Sequence, residues 1–379
     1  MSLILLICAA TLFVAYANGA NDNFKGVATL FGSATTGYRK ALAWATVTTL
    51  LGSIASYFLA GKLLKTFSGK GLVPDAVVGD PAFMAAVIVG AGLTVFFAAR
   101  AGIPISTTHS LMGGLLGAGF VAASAEIQWA VLEKKILLPL LVSPLLSMAL
   151  TVMIYPALRG LRKVLRVTKN TCVCVGRQLV PVTTPALTNG MTLTPVQLQS
   201  LNIIVDEQEV CDARVIDNYA GRLFGINVQS ALDSMHFLSA GAMSFARGLN
   251  DTPKIVALCV ASGTFGLGWN IGMVATAMAL GGILSARKVA ETMSLRITAM
   301  NHGQGFTANL ITAIVVIFAS RLGLPVSTTH VSCGSLFGIG AINGSADRKL
   351  IGGIVSAWAL TVPVAAIISG LTFSLLSAG

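Results

Sequence analysis

The feature that most constrains this chain is a series of long apolar stretches without a single charged side chain. They include residues 41–60, 82–99, 136–158, 305–320 and 351–378. A helix needs about 20 such residues to cross the hydrocarbon core of a bilayer. Only 10% of the 379 residues are charged, whereas a soluble domain has about 25%. The sequence therefore predicts an all-α polytopic membrane protein in contact with the lipid bilayer, and it excludes a water-soluble fold.

Basic residues gather at the ends of the apolar stretches, and they predict the orientation of the chain. The segment 159–177 contains six Lys or Arg residues and no Asp or Glu. Loops rich in Lys and Arg stay on the cytoplasmic side of a membrane. We therefore expect this loop in the cytoplasm and the protein in the plasma membrane (the cell inner membrane). The net charge of +11 reflects these flanking residues, so no nucleic-acid partner is predicted.

Two motifs each occur twice, in the same order. The first is YANGANDNFKGVA at 16–28, echoed by FARGLNDTPKIVA at 245–257. The second is FAARAGIPISTTHSLMGG at 97–114, echoed by FASRLGLPVSTTHVSCGS at 318–335. Chance duplication of both motifs in order is very improbable. We therefore predict a first transmembrane repeat at 1–158, a cytoplasmic hydrophilic loop at 159–232 and a second transmembrane repeat at 233–379.

The number of crossings predicts how the two repeats are related. Each half has room for five crossings, and an odd number inverts the second half relative to the first, with both termini outside. A glycine comes just before the Asn-Asp pair in each copy of the first motif, at Gly19 and Gly248, and Pro253 follows within one copy. We therefore expect the helix to break there. Inverted-topology repeats with broken or re-entrant helices around a midplane site are typical of secondary transporters.

The first motif places charged groups inside apolar sequence. Asp22 and Lys25 in one copy match Asp251 and Lys254 in the other. Each such charge costs about 2.5–3.5 kcal/mol at the centre of a membrane helix, which is hard to explain by packing. We predict that these four residues couple transport to a cation. The alternative is that each copy lies at a helix end among the headgroups, with Asp and Lys paired.

The second motif has the composition of an anion site. Pro104 and Pro325 suit the first turn of a helix, and the Ser-Thr-Thr sequence after each adds hydroxyl donors to free N–H groups at the positive end of the helix dipole. For a single copy, an ordinary Ser or Thr N-cap is the better interpretation. Two matching copies favour anion binding by Ser106, Thr107, Thr108, Ser327, Thr328 and Thr329.

Three further residues are weaker candidates. His109 and His330 follow the Ser-Thr-Thr sequence in the two copies of the second motif, and each either accepts a proton near neutral pH or donates to a backbone carbonyl. Gln304 lies in MNHGQGFTANL at 300–310, next to an apolar stretch. It is a candidate ligand without an equivalent in the first half.

The cysteines do not form a disulfide framework. Cys172, Cys174 and Cys211 fall in the central loop. They either bind a metal or are reduced cytoplasmic thiols, and the sequence leaves both possibilities open.

At these motifs the sequence resembles the inorganic phosphate transporter (PiT) family, which includes phosphate and sulfate permeases. The resemblance covers essentially the whole chain. It implies uptake of inorganic phosphate by symport with sodium or protons, often as a homodimer and without a cofactor. In that family the Asn and Asp of the first motif bind the cation and help to bind phosphate, and the Ser and Thr of the second motif bind phosphate. The corresponding residues here are Asn21, Asp22, Asn250, Asp251, Ser106, Thr107, Thr108, Ser327, Thr328 and Thr329.

One departure from the family bears on the coupling ion. Lys25 and Lys254 stand where the family has small or amide residues. An ammonium group can replace a bound sodium ion electrostatically, so the lysines favour proton coupling, while sodium at Asp22 and Asp251 remains an alternative. Three rival functions also stay open: a sulfate permease, an anion channel, and an intramembrane enzyme with Asp22 and Asp251 as acid and base. A transporter rather than an enzyme is expected.

Overall fold

The computed structural model describes residues 3–69, 71–167, 171–181, 197–207, 209, 224–261 and 266–378. Most of them are helical. In the first part of the chain the helices are α1 (Leu3–Asp22), α2 (Ala28–Gly32), α3 (Tyr38–Leu59), α4 (Gly61–Thr66), α5 (Asp75–Val78), α6 (Pro81–Ala101), α7 (Thr107–Ala123), α8 (Trp129–Val131) and α9 (Leu138–Val164). In the last part they are α10 (Val228–Ala261), α11 (Leu267–Ser285), α12 (Arg287–Glu291), α13 (His302–Leu322), α14 (Thr328–Asn343) and α15 (Arg348–Ser377).

The described helices confirm the prediction of a polytopic membrane protein. Six of the described segments are long and apolar enough to cross a membrane: Tyr38–Leu59, Pro81–Ala101, Trp129–Val164, Leu267–Ser285, His302–Leu322 and Arg348–Ser377. The segment from Trp129 to Val164 joins α8 to α9 through a wide π turn at Leu132–Leu137. Large apolar side chains such as Phe58 and Leu145 are exposed on these helices, as expected for surfaces that face lipid.

The backbone contacts divide the chain into two units. The larger unit comprises Met1–Tyr155 and His236–Gly379, and the smaller comprises Pro156–Met235. The smaller unit contains an antiparallel three-stranded sheet of β1 (Thr171–Pro181), β2 (Gln197–Glu207) and β3 (Phe224–Asn227), with β1 in the middle. Cys172 and Cys174 lie on β1, and Cys211 lies outside the described residues. The metal and thiol alternatives for these cysteines stay predictions.

Both copies of the second motif adopt the same local structure. Helices α6 and α13 each have 21 residues and each end at a glycine with positive φ, Gly102 at 73° and Gly323 at 77°. Only glycine adopts this conformation without strain, and it is the usual way to end a helix. Each glycine is followed by a short connection to the next helix, α7 or α14, which packs against the helix before it.

The predicted helix break occurs in the first copy of the first motif and not in its second copy. Helix α1 ends at Asp22, and a 3-10 turn at Lys25–Val27 leads into α2. In the second copy, α10 continues from Val228 to Ala261 through Pro253, so the break predicted there is wrong. Membrane helices tolerate proline when neighbouring groups satisfy the freed backbone carbonyl.

The glycines of the two copies of the first motif, Gly19 and Gly248, serve close packing instead of breaking helices. A Cβ atom at Gly19 would lie 1.9 Å from the carbonyl oxygen of Met278, and one at Gly248 would lie 2.1 Å from that of Thr49. Helix α1 thus contacts the backbone of α11, and α10 contacts that of α3. Small residues at helix interfaces are the usual means of such close approach in membranes.

A polar network joins α2 to α13. Asn309 donates to the Thr29 hydroxyl at 2.6 Å, and that hydroxyl also lies 2.9 Å from Nε2 of His236. Thr35 in turn lies within hydrogen-bond distance of His236 and His302, at 3.3 and 3.1 Å. These contacts anchor the segment that follows the break in the first motif.

Candidate functional site

The polar residues of both first motifs are buried. None of them is more than 3% exposed: Asn21, Asp22, Lys25, Asn250, Asp251 and Lys254. The two copies also meet, because Nδ2 of Asn18 lies 3.0 Å from Oδ2 of Asp22 and 3.3 Å from Oδ2 of Asp251. Both carboxylates therefore converge on one amide. A location among the headgroups would leave such groups accessible, whereas here the protein itself covers them.

Each lysine reaches into the second motif of the opposite half. Lys25 donates to the hydroxyl of Thr329 at 2.6 Å, and Lys254 donates to the hydroxyl of Thr108 at 2.7 Å. Each lysine also donates to the carbonyl of the residue before the serine in one second motif, Ile105 for Lys25 at 3.0 Å and Val326 for Lys254 at 2.7 Å. Such reciprocal contacts join all four motif copies into one site.

The ion pairs in the two copies differ. Lys25 forms a direct ion pair with Asp22 and donates to Oδ1 of Asn21 at 2.7 Å. Lys254 lies 3.7 Å from Oδ1 of Asp251, beyond hydrogen-bond distance. The amide of Asn250 donates to that same Oδ1 at 3.0 Å.

The hydroxyls of the second motif divide into two roles. The Ser106 hydroxyl accepts from the backbone N–H of His109 at 3.1 Å, and Ser327 does the same for His330 at 3.2 Å. These are ordinary N-caps. The first threonine of each copy faces a carboxylate instead, with Thr107 donating to Asp22 at 3.3 Å and Thr328 to Asp251 at 3.5 Å. Within each turn, the threonines therefore lie nearer to the charged groups than the serine.

The arrangement combines many donors with two groups that only accept. Ammonium, hydroxyl and amide donors suit a tetrahedral oxyanion, whereas an ionised carboxylate offers no donor. An anion beside Asp22 and Asp251 therefore needs positive charge or protons close by to offset the carboxylates. Because the charged groups are closed off from solvent, access to them requires the protein to open.

Two residues outside the predicted set belong to this site. Asn18 bridges the two carboxylates, and it accepts at Oδ1 from Nη2 of Arg247 at 2.6 Å. The Arg247 side chain is fully buried, and its Nε lies 3.7 Å from Oδ2 of Asp251. The repeat carried a signal for both, because the register that pairs Asn21 with Asn250 also pairs Asn18 with Arg247.

His109 and His330 lie against each other. Their ring centroids are 4.4 Å apart, and the His330 ring stacks on Trp358 at 3.9 Å. Both side chains are buried, and neither Nδ1 of His109 nor Nε2 of His330 has a hydrogen-bond partner. The structure thus brings the two predicted histidines together, and the roles predicted for them, accepting a proton or donating to a backbone carbonyl, stay predictions.

Gln304 takes part in the cap at the start of α13. It forms a capping box with Asn301 at the start of α13: each side chain accepts from the other's backbone N–H, at 2.9 and 3.0 Å. Its Nε2 donates to Asn343 at 2.6 Å. Both ends of the Gln304 amide are therefore used to hold α13 and α14, and none of these contacts involves the two duplicated motifs.

Comparison with known proteins gives a consistent result. A profile of the phosphate transporter family matches residues 18–369. The chain is 28% identical to a candidate phosphate permease of Pyrococcus abyssi, with 98% of each chain covered. It is also 28% identical to a probable low-affinity inorganic phosphate transporter of Rhizobium meliloti, covering 97% of this chain and 94% of the relative.

A solved structure has the same fold. It is that of a sodium-dependent phosphate transporter, with a TM-score of 0.75, 21% identity and complete coverage of both chains. At this identity the match concerns the fold. The profile match spans nearly the whole chain, from Asn18 in the first motif to beyond the last copy of the second motif. The similar relatives are transporters and permeases rather than enzymes. The chain belongs to the phosphate transporter family.

Proposed function

We propose that this protein is a symporter that imports inorganic phosphate across the plasma membrane by alternating access. The observation that carries the proposal is the pair of reciprocal contacts from Lys25 to Thr329 and from Lys254 to Thr108. They assemble the donors of both second motifs around the carboxylates of both first motifs. In this proposal Asn21, Asn250 and the threonines of the two turns bind the anion, together with Ser106 and Ser327 at the helix starts.

Phosphate fits this site better than sulfate does. Asp22 and Asp251 offer only acceptors, so an anion that carries its own protons can donate to them. Phosphate is protonated near neutral pH, whereas sulfate is fully ionised and would face both carboxylates without a donor. Family membership supports the same substrate, and sulfate is the competing substrate in the uptake experiment.

The coupling ion in this proposal is the proton. The oxygens around Lys25, from Asp22, Asn21, Thr329 and Ile105, are of the type that binds sodium, and the ammonium group already contacts them. Sodium at Asp22 or Asp251 would need Lys25 or Lys254 to withdraw. Protonation of a carboxylate offsets its charge without displacing any side chain.

The repeat suggests how access alternates. Five crossings per half would place the two halves in opposite orientation, and reciprocal contacts between equivalent residues are those expected for a two-fold relation. Rocking of one half against the other would then open the buried site to each side in turn. The proposal includes a cytoplasmic central loop, termini outside and a homodimer.

Uptake into proteoliposomes tests this function. Labelled phosphate and labelled sulfate are supplied separately, with an inward proton gradient and an inward sodium gradient imposed one at a time. We expect phosphate to accumulate with the proton gradient and only weak stimulation by sodium. Strict dependence on sodium, with no response to the pH gradient, would overturn proton coupling, and accumulation of sulfate alone would overturn the substrate. Counterflow exchange of labelled phosphate would support a carrier, whereas a conductance far above the turnover of a carrier would support an anion channel.

A further inference from the structure

Arg247 is the bulkiest fully buried side chain among the described residues. Its guanidinium donates to Oδ1 of Asn18 at 2.6 Å and to Oδ1 of Asn23 at 3.0 Å, with a longer contact to Thr49 at 3.4 Å. All of these acceptors are neutral. Its closest carboxylate oxygen belongs to Asp251, at 3.7 Å from Nε, and Nε–H makes no hydrogen bond.

The unused donor is the first observation that points to a ligand. Burying a donor without an acceptor costs about 1–3 kcal/mol for an ordinary polar group, and more for a charged one. Other guanidinium donors of Arg247 are satisfied, so the side chain as a whole is well held. A site that receives an oxyanion would give Nε–H the acceptor that it lacks.

The charge balance is the second observation. Within the described part of the chain, the buried charged side chains are Asp22, Lys25, Arg247, Asp251 and Lys254, and all of them belong to the candidate site. Three cations thus face two carboxylates. A buried excess of positive charge is unfavourable in a membrane interior unless it has a partner, and an anion is the partner that would offset it.

The third observation is the asymmetry between the repeats. At the position equivalent to Arg247 the first half has Asn18, a neutral amide whose Oδ1 is the acceptor nearest to the Arg247 guanidinium. Packing alone does not require a cation here, because the first copy of the motif folds with an amide. The excess charge of the site comes from Arg247.

We propose that Arg247 is an anion-binding and specificity-determining residue of this site, with a tetrahedral oxyanion such as phosphate as its ligand. This inference rests on the proposed function. Nε–H donates to the anion, and release of Asn18 lets an Nη–H donate beside it, which gives the paired geometry that arginine uses for phosphate. The positive charge of Arg247 offsets the carboxylates that face the same anion.

The test is phosphate exchange in proteoliposomes with full-length Arg247→Gln, Arg247→Lys and, as a matched control, Arg321→Gln, whose side chain is exposed. We expect Arg247→Gln to raise the phosphate concentration for half-maximal exchange by about one to two orders of magnitude. Arg247→Lys keeps the charge and loses the paired geometry, so its value lies between those of Arg247→Gln and the unmodified protein. Arg321→Gln exchanges like the unmodified protein.

Thermal unfolding in detergent separates binding from folding. Phosphate raises the unfolding temperature of any folded form that binds it. We expect this rise in the unmodified protein and in Arg321→Gln, and we expect it to be lost in Arg247→Gln even where that variant unfolds at a normal temperature without phosphate. A merely structural role would lower the unfolding temperature and leave the phosphate-dependent rise in place.

The outcomes distinguish this inference from the proposed function. If the unmodified protein exchanges phosphate and Arg247→Gln reaches half-maximal exchange at the same concentration, the role of Arg247 is wrong and the proposed function stands. If the unmodified protein neither exchanges nor binds phosphate or sulfate, the role of Arg247 and the proposed function are both overturned. If it exchanges only sulfate, the same variants are measured with sulfate, and an unchanged half-maximal concentration in Arg247→Gln again overturns the role.

Discussion

The two copies of the first motif contain the same pair of charges, but they hold it differently. Asp22 is the last residue of α1, and it is in direct contact with Lys25 in the 3-10 turn that follows. Lys254 and Asp251 are 3.7 Å apart on a helix that continues, and Asp251 also faces Arg247 at 3.7 Å. In the first half, Asp22 and Lys25 therefore form a tight ion pair. In the second half, Asp251 lies between two cations, Lys254 and Arg247, and accepts a hydrogen bond from neither. We therefore expect Asp251 to change partners more readily than Asp22.

The largest effects should come from the carboxylates. Asp22→Asn and Asp251→Asn should each abolish concentrative uptake of phosphate, because a carboxylate beside an anion site serves coupling only when a proton or cation neutralises it. Expression should stay largely intact in both, since the side chains are nearly isosteric. The measurement is accumulation of labelled phosphate against a gradient.

Asp22→Asn and Asp251→Asn should differ in thermal stability. Removing one partner of a buried ion pair costs about 3–5 kcal/mol, and only Asp22 has its lysine in direct contact. Asp22→Asn should therefore unfold at a clearly lower temperature than Asp251→Asn. Normal accumulation in both variants would remove the coupling role, and equal unfolding temperatures would show that the two pairs are equivalent.

Replacing Lys25 or Lys254 should have the next largest effect on transport. Lys25→Ala should impair transport more than Lys254→Ala, because Lys25 loses its contacts to Asp22, Asn21 and Thr329. With both lysines replaced, the oxygens around them become available to an ion, and sodium should stimulate uptake. Initial rates with and without sodium measure this. A double variant that remains indifferent to sodium, while still transporting, would show that the lysines do not stand in for sodium.

Part of the fold and of the candidate site was predictable from the sequence. Duplicated motifs and apolar stretches are local signals, and they predicted the membrane helices and the four buried charges of the first motif, whereas the N-cap role of Ser106 and Ser327 was the less favoured interpretation of two matching copies. The convergence of Asp22 and Asp251 on Asn18 was not predictable, because it depends on how distant helices cross. Gly19 and Gly248 show the same limit: a glycine in a motif fits a break and a close contact equally well, and only the neighbouring helix decides between them.

Hydroxyl groups of the second motif should give intermediate effects. Thr107→Ala and Thr328→Ala should each weaken phosphate binding by about 1.5–3 kcal/mol, the value of a hydrogen bond to a charged group, or roughly one to two orders of magnitude in half-saturation. Thr107 should be the more sensitive position, since it donates to Asp22 at 3.3 Å and also accepts from Asn18 at 2.9 Å. Unchanged half-saturation in both variants would count against these turns as the anion site.

The smallest effects should come from the starts of α6 and α13, where the two halves use different caps. Asp80 accepts from the backbone N–H of Ala82 at 2.8 Å and precedes Pro81, whereas the equivalent Asn301 shares a capping box with Gln304. Loss of a cap costs about 0.5–2 kcal/mol. Asp80→Ala and Asn301→Ala should both lower the unfolding temperature slightly.

Gln304→Ala should also lower the unfolding temperature slightly and leave half-saturation for phosphate unchanged, because the contacts of Gln304 lie in the cap and at Asn343. A shift in half-saturation for Gln304→Ala, with Asn301→Ala unchanged, would instead make Gln304 a ligand and give the second half a binding residue that the first half lacks.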